Sequence, residues 1–404
     1  MPAALARTPE RRVAPVLLSR VALEDFRSYL AAELRPEPGL TVVAGPNGSG
    51  KTNLLEAIFV TITGRSHRAA LEQELVRHGA PFARVRLELD GGGAAGATLE
   101  LVLPGVEAPP GVRKRLTING VPRRVPSVGE VARAVLFRPE EMLLLVGAPS
   151  ERRRFLDGIL AQRNRAMARD LVDLGRVVMQ RNALLRAIRA EEAGLEALAF
   201  WDEQLALLGG RVMAARLAVV VELGERIGPL HRAVAPESDG ADGLVRLAYA
   251  DSLKEAWRGR VDPADRLPEA AELTAAYRAR IEDVRQKEAW NGVSLVGPQR
   301  DDLRVELGGR DVAGHASRGQ QRTIILALKL AETDLLALDG PRPLVLLDDV
   351  FSELDPARAE RVSALLEARG QVIVTTADPD SLGRAGRVSI WTIRDGALVS
   401  PGTA

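Results

Sequence analysis

The sequence predicts an α/β protein with an antiparallel β-lobe and an inserted α-helical arm domain. Three observations predict this class. Short apolar runs separated by turn residues fill the first third of the chain, a helical stretch with 4/3 apolar spacing follows, and strands alternate with helices after residue 290. Alternating strands and helices indicate a parallel sheet, so the helical stretch interrupts one α/β domain.

The first third of the chain is expected to form strands. The apolar runs that predict them span 16–23, 40–44, 85–90, 98–103 and 116–118. Gly91-Gly92-Gly93 predicts a turn, and Asn119-Gly120 before Val121 is the strongest short hairpin signal. Residues 1–15 contain three arginines and no apolar segment, so we expect a flexible tail and no secretory signal.

Residues 151–290 are expected to form the helical arm. From Met167 to Ile188 apolar residues keep 4/3 spacing, except where Arg181 falls on the seam, so this helix is expected to pack against a partner helix. Further patterns predict a helix over 195–230 with a weak point at Gly209-Gly210, a loop over 236–243 and a helix over 270–290.

The arm divides into a basic and an acidic half. Residues 151–189 carry ten basic and four acidic side chains, a net charge of +6, and residues 190–290 carry 13 basic and 19 acidic side chains, a net charge of −6. The total of +1 for the whole chain hides this division. The basic half is either a solvated charged face or a face that contacts phosphates.

The chain returns to alternating strands and helices after residue 290. The pattern predicts strands at 303–307, 344–347 and 372–375, helices at 319–338 and 356–369, and a final hairpin over 388–398. The predicted division is therefore a tail over 1–15, an N-terminal head part over 16–150, the helical arm over 151–290 and a C-terminal head part over 291–404.

Composition excludes several function classes. The chain has no cysteine, which excludes disulfides, thiolate zinc sites, iron–sulfur clusters and cysteine nucleophiles, and favours a cytoplasmic protein. Its four histidines are scattered, so no local histidine metal site is expected. No run of 18 uncharged apolar residues is present, so no membrane span is predicted.

A phosphate-binding loop is the strongest motif. The stretch that matches G-x-x-x-x-G-K-[ST] is Gly45-Pro46-Asn47-Gly48-Ser49-Gly50-Lys51-Thr52. A strand precedes it and a helix follows from Asn53, which is the expected context. Its backbone N–H groups would face phosphate oxygens, Lys51 would lie between the β- and γ-phosphates, and Thr52 would bind Mg²⁺. The alternative is a plain glycine turn.

Two acidic residues end the apolar strand 344–347. Asp348 and Asp349 emerge at its carboxyl end, the edge at which open α/β sheets bind ligands. Asp348 can hold Mg²⁺ through water, and Asp349 can orient the attacking water. Alone, this pair is a weak signal, and with the phosphate loop it becomes a strong one.

A polar segment opens the helix 319–338. In Ser317-Arg318-Gly319-Gln320, Ser317 has the character of an N-cap and Gly319 lets a ligand approach the backbone. The free N–H groups and positive dipole of a helix N-terminus suit a γ-phosphate. The alternative is an ordinary helix cap, and Asp355 before Pro356 is open to the same alternative.

These motifs, in this order, resemble the head of ABC-type ATPases, with 317–320 as the signature and 352–355 as the D-loop. Segments 26–29, 64–68, 152–157, 180–182 and 297–302 further resemble the RecF family, an SMC-like branch that serves bacterial DNA repair. The resemblance runs from about residue 16 to 395 and implies ATP and Mg²⁺ as cofactors. It implies an ATP-dependent homodimer in which Ser317 caps the γ-phosphate held by the second copy.

The resemblance also implies roles for single residues and partners. Nucleotide contacts are implied for Arg27, Asn53, Arg65, Arg318, Gly319 and Gln320, and catalytic roles for Lys51, Ser317, Asp349 and Asp355. RecR and RecO are the implied partners in loading RecA at single-strand gaps beside duplex DNA.

Three positions depart from the ABC-transporter pattern. Asp349 replaces the catalytic glutamate, Thr375 or Thr376 replaces the switch histidine, and no Q-loop glutamine is evident at 137–140. Because Asp349 has a shorter reach and no histidine assists it, we expect slow hydrolysis. These departures argue against a transporter subunit, while another SMC-like ATPase and a non-hydrolysing scaffold stay open as alternatives.

DNA contact is expected to be electrostatic. Aromatic residues are only 3% of the chain, so arginine contacts to duplex phosphates are favoured over base stacking. Candidates are Arg113, Lys114, Arg115, Arg123 and Arg124 near the hairpin, and Arg152, Arg153, Arg154, Arg163 and Arg165 in the arm. The run 152–154 could equally be structural and pair with acids where the lobes join.

Overall fold

The computed structural model describes residues 16–91, 96–238, 243–253, 266–378, 388–394 and 397–399. The predicted tail, part of the predicted glycine turn and half of the predicted loop over 236–243 lie outside these ranges. Within them, fifteen strands form three sheets, and nine α-helices pack around the sheets and build the arm.

Six strands form the predicted antiparallel β-lobe. In sheet order they are β2 (Tyr29–Leu34), β1 (Val16–Phe26), β4 (Phe82–Gly91), β5 (Ala97–Pro104), β6 (Arg115–Ile118) and β7 (Val121–Arg123). Alternate residues such as Leu18 and Val85 are buried in the core that the lobe shares with the first helix, α1 (Lys51–Thr63). Asn119 adopts a left-handed φ of 52° in the turn between β6 and β7, which confirms the predicted hairpin.

A second six-stranded sheet carries the sequence motifs at its ends. In sheet order it contains β15 (Ala397–Val399), β14 (Val388–Arg394), β3 (Leu40–Ala44), β13 (Val372–Thr376), β12 (Leu344–Asp348) and β8 (Ala134–Phe137). All neighbours are parallel except β14 and β15, the predicted final hairpin. The sequence pattern did not predict β8, because a run of only four apolar residues is too short to identify a strand.

Helices cover both faces of this parallel sheet. Alternate residues of β12 belong to two different cores, one shared with α1 and the β-lobe, the other with α8 (Arg318–Leu336) and α9 (Pro356–Glu367). The strands are therefore buried along their whole length, as the continuous apolar pattern predicted. Two single-turn helices, α2 (Leu143–Val146) and α7 (Val312–His315), lie beside α8 and the third sheet.

Four helices occupy the region predicted as the arm. They are α3 (Pro149–Arg163), α4 (Arg165–Arg189), α5 (Ala199–Val234) and α6 (Ala270–Asn291). Helix α5 has 36 residues and is therefore about 54 Å long. It packs on α4 and α6 in the arm and on α8 and α9 in the head. Its length and apolar composition match a membrane span, but most of this stretch is buried in those contacts, which is typical of a core helix.

The predicted weak point at Gly209-Gly210 is wrong. Helix α5 runs through both glycines without a break. A Cβ on Gly210 would lie 2.6 Å from the Ala270 carbonyl oxygen, and one on Gly209 would lie 3.1 Å from the Tyr277 ring. The two glycines therefore allow α6 to approach α5 closely.

Arg181 interrupts the apolar seam of α4 because it is the centre of a buried ion network. Its side chain is fully buried, and it binds Asp202 of α5 at 2.8 Å and Glu288 of α6 at 2.6 Å. A third bond, of 2.8 Å, goes to the Ser294 hydroxyl. The predicted helix packing is confirmed, and this network joins all three long arm helices.

A small third sheet lies at the base of the arm. It contains β11 (Arg310–Asp311), β10 (Asp302–Leu307) and β9 (Val245–Ala250), all antiparallel. Strand β10 was predicted as the start of the alternating α/β segment, but it pairs with β9 and not with the parallel sheet. The alternation of strands and helices along the chain does not specify which sheet a strand joins, and β9 itself was not predicted.

Candidate nucleotide-binding site

The phosphate-binding loop connects β3 to α1 at the carboxyl edge of the parallel sheet. Gly50 is the N-cap of α1 with a φ of 108°, which only glycine adopts readily. A Cβ at this position would also lie 3.0 Å from the Tyr29 hydroxyl, which donates a hydrogen bond to the Gly50 carbonyl. Lys51 donates to the carbonyl oxygens of Gly45 and Pro46 at 2.7 and 2.9 Å, so its ammonium lies over the loop.

Asp348 and Thr52 meet as the motifs predicted, although 295 residues separate them. The Thr52 hydroxyl donates to Asp348 Oδ2 at 2.7 Å, and the Thr375 hydroxyl donates to Asp348 Oδ1 at 2.6 Å. A hydroxyl and a carboxylate side by side are the hard oxygen ligands that Mg²⁺ accepts when nucleotide phosphates and water complete its shell. The donor set therefore fits Mg²⁺ together with a nucleotide.

Asp349 has a strained backbone and an unpaired oxygen. Its φ is 51°, uncommon for a residue other than glycine, and its N–H donates to the Thr375 carbonyl at 3.0 Å. The Oδ1 atom is buried and has no hydrogen-bond partner in the part of the chain that the structure describes. Burial lowers the pKa of the Lys51 ammonium, and the carboxylates of Asp349 and Asp348 oppose that shift.

The signature segment forms a complete capping box at the start of α8. The Ser317 hydroxyl accepts from the Gln320 N–H at 3.2 Å, and the Gln320 side chain accepts from the Ser317 N–H at 2.8 Å. The N-cap interpretation is confirmed. Ser317, Arg318 and Gln320 are exposed, and a Cβ on Gly319 would meet no atom of the described residues within 4 Å, so the helix N-terminus is open to a ligand.

Asp355 caps α9, as its position before Pro356 predicted. Its carboxylate accepts from the Arg358 N–H at 3.0 Å. The Arg358 side chain also binds Glu237, which follows the end of α5. The D-loop is thereby tied to the long helix of the arm.

The predicted nucleotide contact Arg27 binds a carboxylate that sequence reasoning missed. Its guanidinium donates to both oxygens of Glu56 at 2.9 and 3.0 Å, and Arg68 joins the same carboxylate at 3.0 Å. Arg68 also holds the Asn53 side chain at 2.6 Å. Burial raises the pKa of the Glu56 carboxyl, but hydrogen bonds from Arg27 and Ser66 outweigh it and leave that pKa below its usual value.

Two further residues belong to this edge. Arg65, which was also predicted to contact the nucleotide, has an exposed side chain. His67 packs edge-on against Phe59, and its buried Nδ1 has no hydrogen-bond partner within the described ranges. Burial, reinforced by the charge of Arg138, lowers the pKa of His67 to about 4, so the imidazole is neutral. Nothing in the sequence except the segment 64–68 pointed to it.

Three of the predicted arm arginines have structural partners. Arg152 forms two bonds with Asp302, at 2.7 and 2.9 Å, and Arg153 donates to the Asp301 carbonyl at 2.8 Å. Arg163 bridges carboxylates of α5 and of the segment after α8. The structural alternative for the run 152–154 therefore applies to Arg152 and Arg153, whereas Arg154 is exposed and pairs with Glu151 of its own helix at 2.7 Å.

The hairpin arginines remain available on the surface. Arg113, Arg115, Arg123 and Arg124 are exposed. Lys114 differs, because its ammonium donates to the Gly64 carbonyl at 2.9 Å and pairs with Glu72. These side chains lie on or beside β6 and β7, at one edge of the β-lobe.

Comparisons with known proteins agree with this geometry. Residues 17–397 match the family described as RecF/RecN/SMC N terminal domain. The chain is 40% identical to the DNA replication and repair protein RecF of Kineococcus radiotolerans, over 92% of this chain and 95% of that protein. The chain belongs to the RecF family. It is also 37% identical to the RecF of Roseiflexus castenholzii, over 94% and 99% of the two chains.

Solved structures of RecF share the fold. The recombination mediator protein RecF with ATPrS, in the RecFOR pathway, matches with a TM-score of 0.84 at 26% identity, over 96% of this chain and 99% of that one. The SmcHead bound to the C-winged helix domain of ScpA matches with a TM-score of 0.54 at 16% identity, which shows a shared fold only. The predicted ATPase head of ABC/SMC type is therefore confirmed.

The segments most particular to RecF meet inside the arm and at its base. Arg216 of α5 forms two bonds with Asp157, at 2.9 and 3.0 Å. The Asp301 carboxylate, whose pKa is raised by burial, accepts from the Tyr249 hydroxyl at 2.7 Å and the Ser252 N–H at 2.8 Å. Together with the Arg181 network, these bonds show that segments 152–157, 180–182 and 297–302 join the arm helices to one another and to the third sheet at the base of the arm.

Proposed function

We propose that this chain is an ATP-dependent DNA-binding protein of recombinational repair. Two copies would close head to head over two ATP molecules and clamp duplex DNA near single-strand gaps, and slow ATP hydrolysis would release the DNA. One observation carries the proposal. The loop 45–52 and the exposed N-terminus of α8 are both suited to phosphate, yet no hydrogen bond or ion pair joins them among the described residues. In a two-fold pair, each surface would complete the site of the other copy.

In this pair, each triphosphate would be held from two sides. The loop N–H groups and Lys51 would bind the β- and γ-phosphates, and Thr52 with Asp348 would hold Mg²⁺, which supplies charge neutralisation. The second copy would present Ser317 and the positive end of α8 to the γ-phosphate. Loss of that phosphate removes the bridging charge, so the pair would open.

Hydrolysis would rest on Asp349 and would be slow. The Oδ1 of Asp349, which has no partner among the described residues, is free to accept a hydrogen bond from the attacking water at this edge. At this end of β13 the side chain is that of Thr375, whose hydroxyl is bonded to Asp348. A threonine has no imidazole that could assist the reaction. Asp355, which caps α9 in each copy, would lie beside the joint site.

DNA would be held by arginines that contact phosphates. The exposed hairpin residues Arg113, Arg115, Arg123 and Arg124 are the strongest candidates, with Arg154 in the arm. The RecFOR pathway, in which a structurally similar RecF is placed, supports RecR and RecO as partners. The loading of RecA and a cytoplasmic location belong to the same proposal and rest on the resemblance to the RecF family.

Sizing by light scattering tests the proposal on the full chain with ATP·Mg²⁺, with ADP·Mg²⁺ and without nucleotide, in the presence and absence of duplex DNA. The wild type is expected to be dimeric only with ATP. Lys51→Met should stay monomeric because it loses nucleotide, and Ser317→Arg should bind ATP but stay monomeric. Equal monomer fractions under all three conditions would refute the ATP-driven pair.

A further inference from the structure

Arg138 lies at the carboxyl edge of the parallel sheet, beside the candidate nucleotide site. Strand β8 pairs in parallel with β12, and the last pair in register is Phe137 with Leu347. The next residues of the two strands are Arg138 and Asp348, and neighbouring strands lie about 4.8 Å apart. Arg138 therefore starts from the same edge as the residues that would hold Mg²⁺.

The Arg138 side chain lines a cleft between the end of β8, helix α8 and the segment that follows β12. Its Nε donates to Glu141 at 3.0 Å, and the side chain is only 17% exposed. The walls of the cleft include Arg322 and Leu326 of α8 and Val350, which precedes the D-loop. Arg138 is thus adjacent to the end of β12, to the signature helix and to the D-loop segment.

The carboxylate that binds Arg138 has a second cation. Lys329 of α8 lies 3.7 Å from Glu141 and 2.6 Å from Glu332, and its ammonium lies over the rings of Phe137 and Phe155 at 5.9 and 5.6 Å. Lys329 is buried and fixed by these contacts. Because Lys329 stays beside Glu141, that carboxylate keeps a positive partner when the Arg138 side chain turns away. The bond between Arg138 and Glu141 is therefore replaceable.

The electrostatics of His67 agree with this placement. After burial, the charge of Arg138 is the next largest cause of the lowered His67 pKa, and Asp348 acts on the same imidazole in the opposite direction. Arg138 and Asp348 are thus both close enough to influence one ring at this edge.

We propose that Arg138 discriminates ATP from ADP. Its guanidinium turns from Glu141 to the γ-phosphate of the nucleotide on the same chain, and Glu141 stays with Lys329. This inference rests on the proposed function, because it takes the loop 45–52 as the nucleotide site. A planar guanidinium can donate two parallel hydrogen bonds to phosphate oxygens, which a glutamine cannot. The loop and Lys51 would hold the β-phosphate of either nucleotide, so Arg138 acts on the triphosphate alone.

The test measures the affinity of two nucleotides on a chain that cannot pair. Calorimetry with Mg²⁺ and either ATPγS or ADP compares Ser317→Arg with the same chain carrying Arg138→Gln, so that no second copy contacts the γ-phosphate. We expect the affinity for ATPγS to fall about tenfold and that for ADP to change less than about twofold. Arg310→Gln, an exposed arginine of β11, is the matched control and should change neither affinity.

Glu141→Gln separates a phosphate contact from a bracing role. Removing this charge takes away the nearer carboxylate of Arg138 and leaves Glu140 at 3.9 Å, so the affinity for ATPγS should stay equal or rise. If Arg138 only braces the fold through Glu141, both variants should weaken both nucleotides alike, and the inference is overturned. An unchanged ATPγS affinity in Arg138→Gln overturns it too, but leaves the nucleotide site intact. Failure of the starting chain to bind either nucleotide would instead refute the proposed function.

Discussion

The nucleotide edge of the head and the base of the arm both contain buried charged groups, but the two regions differ in how these groups are paired. At the arm, Arg181 and Arg216 each bind at least one carboxylate at 3.0 Å or less. At the edge, Asp349 has a strained backbone, and its buried Oδ1 has no hydrogen-bond partner among the residues that the structure describes. A buried network whose members are paired is rigid, whereas an unpaired buried oxygen on strained backbone is typical of a site that receives a ligand.

Helix α5 connects these two regions. It carries Asp202 and Arg216 of the arm networks, and just beyond its end Glu237 binds Arg358 on the helix that Asp355 caps. A rigid arm base would therefore transmit a movement of the D-loop to the arm without absorbing it. The contrast between rigid base and open edge leads to four predictions of decreasing effect on stability.

Arg181→Met should have the largest effect, because it removes the shared partner of two buried carboxylates. Asp202 keeps Arg285 at 3.1 Å, but Glu288 loses its only ion pair among the described residues. We expect a loss of about 3–5 kcal/mol in the free energy of unfolding, measured with urea. The exposed Arg154→Met should change it by less than about 0.5 kcal/mol. A loss for Arg181→Met as small as the control would show that the arm does not depend on this network.

Gly210→Ala should rank next, because the added methyl group meets the backbone of α6. The Ala270 carbonyl oxygen leaves no space at 2.6 Å, so α5 and α6 must separate, at a cost of about 1–3 kcal/mol. Gly224→Ala in the same helix meets no atom within 4 Å and should instead stabilise by about 0.5–1 kcal/mol. Unfolding curves of equal midpoint for the two variants would contradict the close approach of α6.

The sequence predicted those parts of the site that are contiguous along the chain. The loop 45–52, the capping box at Ser317 and the cap at Asp355 depend on local spacing, which a sequence displays directly. The meeting of Thr52 with Asp348 also followed, because parallel strands bring their carboxyl ends to one edge.

The missed parts depend on distant partners. In the sequence, Glu56 looks like an ordinary helix residue. Only the structure shows that Arg27 and Arg68 both bind its carboxylate. The position of Arg138 depends on the register of β8, a strand too short to predict. The charge of the run 152–154 was equally consistent with DNA phosphates and with protein carboxylates, such as Asp302 beside Arg152. Sequence alone does not distinguish the two, since it does not show which side chains are buried.

His67 links stability to pH at the nucleotide edge. Its pKa is about 4 in the folded chain, below the usual 6.5, so the unfolded chain takes up a proton first as the pH falls. The stability that the neutral ring contributes is therefore present above pH 6.5 and is lost as the pH falls towards 4. Between pH 7 and 5 the wild type should lose about 1–2 kcal/mol more than His67→Gln. Urea unfolding of both proteins at pH 7 and pH 5 measures these free energies. If the difference in stability between wild type and His67→Gln is the same at both pH values, the ring is not held neutral.

Asp349→Asn should have the smallest effect on stability and a large one on turnover. Asparagine tolerates the left-handed φ of 51° as aspartate does, and the change removes a charge next to Asp348, so the free energy of unfolding should change by less than about 0.5 kcal/mol. If the Asp349 carboxylate orients the attacking water, phosphate release at saturating ATP should fall at least about 100-fold. Asp348→Asn is the control, and it should weaken Mg²⁺-dependent ATP binding itself. A loss of stability as large as that of Arg181→Met would contradict the difference between the two regions. It would mean that charged groups stabilise the nucleotide edge as much as they stabilise the base of the arm.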